Sequence, residues 1–390
     1  MLPKEMYTVS PNVWALKDKK KILIIGPAFP LRGGLATYDE RLCREFISLG
    51  HTCEILSFSL QYPSLLFPGK TQFSSDPIPT DIVIHSEINS INPFNWILTG
   101  KKFGKQKYDL VIIRYWMSFM APAFGTIARE LKKSGARIIS ITDNIGPHEK
   151  RFFDSAFTNY FLSACDGFLS MSKEVQQQAQ ALQPNKTVAY VPHPMYDMFG
   201  PAIDKVDAIS KLGLDPQYHY LLFFGFIRKY KGLNLLLESF AKLKHKELKV
   251  KLIVAGEFYE DAAPYLAQIN ELGIEEELIM KTDFIPNGEV ALYFSAADMV
   301  VQTYLSATQS GVTQIAYYYN KPMLVTNVGG LAELVPNQKV GYVCPLDANA
   351  IAASLTEFYT QEKESTFAAG VADEKQKFTW SYLVDSLFSV

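Results

Sequence analysis

Residues Leu221 to Lys242 read LLFFGFIRKYKGLNLLLESFAK, and the reading of this stretch decides the fold. Leu221 to Phe224 is a short, continuous apolar run, the pattern of a strand covered on both faces of a sheet. Gly225 breaks the run, Arg228 and Lys231 follow, and Gly232 precedes a helical pattern that sets Leu233, Leu236, Leu237, Phe240 and Leu243 on one stripe. Strand, basic glycine-flanked loop and helix therefore come in that order. A helix start offers unpaired backbone N–H groups and the positive end of its dipole, and two cations in the turn feeding it make a seat for an anion such as a diphosphate. On composition alone the plainer reading of Arg228 and Lys231 is a pair of solvated loop cations.

Working outward, strands and helices alternate. Ile22 to Gly26 reads as a buried strand, followed by the loop Pro27–Gly34 and a helix carrying Leu35, Tyr38, Leu42, Phe46 and Leu49 to a Gly50 cap. The Pro-rich turn lacks G-x-G-x-x-G, which disfavours a dinucleotide site of the dehydrogenase type. Gly33 and Gly34 serve equally as a turn needing positive φ or as a close approach of backbone to a phosphate. Gln61 to Asn95 reads as one long irregular segment, and long loops in compact domains are often functional. Strands are expected at Glu54–Phe58, Asp109–Ile113, Arg137–Ile141, Phe168–Met171 and Thr187–Val191, with helices at Ala121–Lys133 and Ser172–Ala181. His148 lies just past Ile141, where open α/β sheets place ligands, although a lone histidine is more often structural.

The prolines from Pro192 to Pro201 mark a boundary, and His193 between them reads as structural. The domains are therefore set at 1–198 and 199–375, with a terminal helix at about 376–390 carrying Trp380, Leu383, Val384, Leu387 and Phe388. The second domain repeats the alternation, with strands at Val250–Ala255, Leu278–Lys281 and Met299–Gln302 and helices at Ala263–Leu272 and Glu289–Ala296. Glu257 and Ile285 fall just after the strand ends, and Ser310-Gly311-Val312 opens a further helix as a second nest of N–H groups.

With 390 residues, 48% of them hydrophobic, the chain is long enough for two domains of ordinary size. A net charge of -2 gives nucleic acid no general attraction. Cys43, Cys53, Cys165 and Cys344 are scattered, with neither C-x-x-C nor histidines at ligand spacing, and read as small core residues in a reducing compartment. With neither an N-terminal leader pattern nor an apolar run of membrane-spanning length, a cytoplasmic place is expected. Lys101, Lys102, Lys105 and Lys107 form a basic run near the greasy Leu65–Phe67. Solvated lysines and a buried loop are the plain reading, and peripheral membrane contact is the other.

FGFIRKYKG resembles the F-x-G-x-[IL]-x-x-x-K-G motif of retaining glycosyltransferases of the GT-B fold, glycosyltransferase family 4, or glycosyl transferases group 1. The resemblance extends through the Gly33-Gly34 pair and Pro322–Val335 (PMLVTNVGGLAELV). It implies two Rossmann-like, doubly wound parallel-sheet domains facing a central cleft, with a C-terminal helix crossing back to the N-terminal domain. It also implies a nucleoside-diphosphate sugar as donor, a glycan or lipid-linked acceptor, no cofactor and no metal. Arg228 and Lys231 are implied to hold the donor's diphosphate and His148 to reach the donor sugar. Donor contacts are implied for Gly33, Gly34, Gly225, Glu257, Ile285, Ser310, Gly311, Val312 and Gln314. The chain departs from the family at its paired glutamates, where Ser306 and Gln314 stand. A glutamine accepts a ribose hydrogen bond without charge, and a serine shortens the reach to the sugar. A GT-B sugar-nucleotide epimerase and a non-catalytic nucleotide-sugar-binding subunit are the alternatives.

Overall fold

The computed structural model describes residues 18–63, 72–74, 77–145, 154–243, 247–307 and 310–390. His148, the Leu65–Phe67 patch, Thr308 and Gln309 lie outside the described residues. The chain forms two compact units, one of residues 1–192 with Trp380–Val390 and one of His193–Thr379. The division falls between Pro192 and His193 rather than after 198, because Met195 and Tyr196 already pack on the second core and the Met195 N–H donates to the Phe378 carbonyl at 2.8 Å.

In the first unit the strands are β1 (Lys21–Ile25), β2 (Thr52–Leu60), β3 (Val83–Asn89), β4 (Leu110–Tyr115), β5 (Arg137–Thr142), β6 (Gly167–Ser170) and β7 (Thr187–Tyr190). Between them run α1 (Gly34–Ser48), α2 (Pro93–Gly104), α3 (Ala121–Lys132), α4 (Asp154–Ala164) and α5 (Lys173–Leu182). All seven strands are parallel, in the order β3-β2-β1-β4-β5-β6-β7. Strand alternation sends Leu23 and Ile25 to one face, against Phe124 and Ile127 of α3, and Ile22 and Ile24 to the other, against Leu42 and Phe46 of α1.

The irregular segment expected over 61–95 includes regular structure among its described residues. It contains the edge strand β3, and Pro93 is the first residue of α2 rather than a loop marker. Proline suits that position because its missing N–H would be unpaired there anyway, and the Asn92 side chain caps the helix by accepting from the N–H groups of Phe94 and Asn95.

The second unit holds α6 (Lys205–Lys211), β8 (His219–Phe224), α7 (Leu233–Lys242), β9 (Val250–Ala255), α8 (Ala263–Leu272), β10 (Leu278–Lys281) and α9 (Asn287–Ala296). It continues with β11 (Met299–Gln302), α10 (Gly311–Tyr318), β12 (Met323–Thr326), α11 (Leu331–Leu334), β13 (Gly341–Cys344), α12 (Ala348–Thr360) and α13 (Glu364–Glu374). Its six parallel strands run in the order β10-β9-β8-β11-β12-β13. Both faces of this sheet are covered by apolar clusters, which is why β8 reads as an unbroken greasy run.

The last helix, α14 (Trp380–Ser389), belongs to the first unit. Trp380, Leu383, Val384 and Leu387 join the cluster of Ile22, Ile24 and Leu42, and the Trp380 ring meets Tyr38 at 4.8 Å between centroids. All four cysteines are free and buried.

Candidate functional site

In each sheet the strand order reverses direction at one place, between β1 and β4 and between β8 and β11. Open α/β sheets leave a crevice outside the carboxyl ends of the strands at such a point. In the second unit that crevice is built by the loop after β8 and the loop after β11.

Gly225 follows β8 with φ of 90°, a conformation that side chains resist, and a Cβ placed on it would stand 2.9 Å from the Lys231 Nζ and 3.8 Å from Val312. A short 3-10 turn over Lys229–Lys231 then swings Lys231 back over the strand end, and Gly232, left-handed at φ of 66°, launches α7. The two loops are stitched together. The Leu305 N–H donates to the Tyr230 carbonyl at 2.7 Å and the Thr303 hydroxyl to the Gly232 carbonyl at 2.8 Å. A Cβ on Gly232 would lie 2.0 Å from the Thr303 oxygen, so only glycine permits this closeness.

Lys231 is the unusual group. Its side chain is buried, yet among the described residues it has no ion-pair partner, and its Nζ lies 5.7 Å from the centre of the Tyr304 ring. Burial, reinforced by the nearby Arg228 cation, lowers its ammonium from 10.5 to about 8. Arg228 is exposed and lies over the Tyr259 ring at 4.9 Å. A buried cation without a counter-charge is costly, and an anionic ligand removes that cost.

The second nest reaches the same place through Tyr304, whose hydroxyl shares a 3.1 Å hydrogen bond with Ser310. Ser310 caps α10 by accepting from the Val312 N–H at 3.2 Å and donates to the Gln302 Oε1 at 2.8 Å, which also accepts from Thr313 at 3.1 Å. Gln314, one turn into α10, is 1% exposed, and among the described residues neither its Oε1 nor its Nε2 has a hydrogen-bond partner. Buried amides are normally paired, so both ends of this one are available. Glu257 is exposed, with its carbonyl accepting from the Ile227 N–H, and Ile285 is half-buried against the second core.

The structure thus brings Gly225, Lys231 and Val312 together, with Arg228 in the same loop as Lys231 and Ser310 and Gly311 at the adjoining helix start. Gly33 and Gly34 belong to the first unit, at the start of α1 after β1. Gly33 has φ of 116°, and nothing would touch a Cβ on either glycine. His148 lies outside the described residues.

A buried charge cluster at the first sheet's own switch point went unread in the sequence. The Arg114 Nε donates to the Asp143 Oδ2 at 2.5 Å, its guanidinium lies over the Tyr38 ring at 3.9 Å, and its Nη1 stands 4.0 Å from the Asp39 Oδ1. Burial pushes the Asp39 carboxyl well above the usual carboxylate range, against the pull of Arg114. The signal was present: an aspartate on the apolar stripe of α1 and an arginine inside the otherwise apolar LVIIRY of β4.

Similar proteins agree with this architecture. Two solved structures match nearly the whole chain: a glycosyltransferase from Rickettsia africae, with a TM-score of 0.68, 17% identity and coverage of 96% of this chain and 98% of that one, and Anabaena HepE in complex with UDP-glucose, at 0.65, 16%, 95% and 98%. The class is therefore the GT-B fold. Residues 204–369, all within the second unit, match the family model of glycosyl transferases group 1. The D-inositol 3-phosphate glycosyltransferase of Segniliparus rotundus is 29% identical over 54% of this chain and 48% of its own length. The alpha-monoglucosyldiacylglycerol synthase of Streptococcus pneumoniae is 35% identical over 28% of this chain and 26% of its own. The chain spans about half the length of the D-inositol 3-phosphate glycosyltransferases it matches.

Proposed function

We propose that the protein is a retaining glycosyltransferase that moves a sugar from a nucleoside-diphosphate donor to a glycan or lipid-linked acceptor without a metal. The observation that carries this reading is the buried ammonium of Lys231 beside Gly225, which has no ion-pair partner among the described residues. Breaking a sugar–diphosphate bond develops negative charge on the leaving phosphate, and a preorganised cation stabilises that charge more than it does the ground state. Lys231 and Arg228 supply the charge, and the N–H groups at the start of α10 add fixed dipoles. Gln314 offers a carbonyl and an amide to ribose hydroxyls in place of a carboxylate, while Glu257 and Ile285 line the donor. Attack by the acceptor hydroxyl on the face that the diphosphate leaves, with a diphosphate oxygen taking the proton, gives retention. The match to the glycosyl transferases group 1 model, and UDP-glucose bound to a protein of the same fold, support the choice of donor class.

The test begins with ligand: UDP, GDP, ADP and their sugars are screened by thermal shift, where a ligand at 100 times its dissociation constant stabilises by about 2.7 kcal/mol. With the donor identified, Arg228→Ala and Lys231→Ala each lower turnover by about 10²–10³, or about 3–4 kcal/mol of transition-state stabilisation. Wild-type turnover in both variants refutes the assignment.

A further inference from the structure

Helix α2 is mounted rigidly on the first unit. Asn95 donates from Nδ2 to the Glu87 carbonyl at 3.0 Å and accepts the Asn89 N–H at 2.8 Å, the Trp96 Nε1 donates to the Asn89 carbonyl at 2.6 Å, and Lys102 is paired with Glu87 at 2.6 Å. Thr99, Gly100 and Phe103 are buried beneath it, and Gly100 admits the Glu130 side chain of α3 where a Cβ would stand 2.6 Å from it.

The opposite face carries no such partners. At the 3.6-residue period, Phe94, Ile97, Leu98, Lys101 and Lys105 fall on one stripe. Phe94 is 80% exposed and Leu98 67%, and Ile91 just before the cap continues the apolar end. Lys101 and Lys105 are exposed at the other end, and among the described residues neither has an ion-pair partner. No acidic residue occurs anywhere from Ile88 to Tyr108, although the chain as a whole is slightly acidic.

We propose that this face of α2 is a docking surface for an anionic lipid bilayer. Apolar side chains next to lysines on a rigid helix match the acyl–headgroup boundary, where rings and aliphatic chains enter and ammonium groups meet phosphates. The surface is the convex side of a single helix, and its exposed lysines, in a stretch from Ile88 to Tyr108 that holds no carboxylate, complement an anionic partner. A fluid anionic partner without fixed shape suits a convex face better than a folded one. No helix among the described residues is long and apolar enough to cross a membrane, so contact through α2 is peripheral. The inference is independent of the donor site, since α2 belongs to the first unit and the anion site to the second.

The experiment is cosedimentation of the full chain with vesicles of phosphatidylcholine alone and with phosphatidylglycerol added, at low and high salt. Pelleting is expected with the anionic vesicles and lost at high salt. Each of Lys101→Gln and Lys105→Gln weakens it by about fivefold, and Phe94→Ser with Leu98→Ser by tenfold or more. Unchanged melting and unchanged stabilisation by the nucleotide found in the donor screen show that the variants are folded. If that screen finds none, melting alone serves. Equal pelleting of variants and wild type, or no pelleting at all, overturns the proposal. So does a dimer in light scattering that Phe94→Ser and Leu98→Ser dissociate, because the face is then a contact between copies.

Discussion

At the scale of single residues, Lys231 and Arg114 are both buried cations, and they differ in what answers their charge. Arg114 is met by Asp143 and faces Asp39, whereas Lys231 has no carboxylate partner among the described residues and pays for burial in a lowered pKa. Lys231 must be protonated to hold a phosphate. Because its ammonium titrates near 8 in the folded protein and at 10.5 when exposed, the unliganded protein gains stability as pH rises from about 8 to 10.5. Nucleotide affinity has the opposite trend, strong below pH 8 and falling above it. Calorimetry in buffers of different ionisation enthalpy should show proton uptake on UDP or GDP binding near pH 8.5, and Lys231→Met should weaken binding and abolish both the uptake and the inflection. For Arg114 the expectation concerns stability. Arg114→Leu leaves the buried Asp39 and the half-buried Asp143 without their cation and should cost about 3–5 kcal/mol in denaturant unfolding, with Asp39→Asn recovering part of the loss.

At the scale of elements, a short helix start does the positioning. Ser310 caps α10, holds Gln302 and meets Tyr304, so one hydroxyl ties the second nest to the loop that carries Lys231. Ser310→Ala removes the cap and leaves part of a buried amide's capacity unmet, for a loss of about 1–3 kcal/mol. Nucleotide affinity should fall with it, and Ser310→Thr should restore most of both. A stability loss with unchanged affinity would detach α10 from the site. The loops after β8 and β11 act as one piece because Gly232 lets their backbones touch, which no side chain at that position allows.

At the scale of the whole molecule, the chain leaves the first unit at Pro192 and returns at Trp380. Trp380 packs against Tyr38 and lies under the Arg41 guanidinium at 5.0 Å, while Phe388 meets the Phe46 ring edge-on at 5.9 Å. Trp380→Ala should therefore cost about 3–5 kcal/mol, and the cost should fall on the first unit although the substitution lies only ten residues before Val390. Calorimetry checks this: the transition that nucleotide does not shift should move down, and the one that nucleotide stabilises should stay.

The sequence by itself determined most of the elements and the class of the fold. β9, β10, β11 and α8 lie where the apolar runs put them, because strands covered on both faces and helices with one greasy stripe leave unambiguous periods. The loop cations, the flanking glycines and the Ser-Gly helix start were legible for the same local reason. It did not reveal β3 or the start of α2, where prolines hid an edge strand and a capped helix, nor the Asp39–Arg114–Asp143 cluster, whose members are far apart in the chain. Only the tertiary structure decided that β8 and β11 are neighbours. That adjacency brings Gly225, Lys231, Tyr304 and Val312 together and takes the counter-charge away from a lysine, because burial and pairing depend on which strand ends lie side by side, and strand order is set by packing between distant segments rather than by any local pattern.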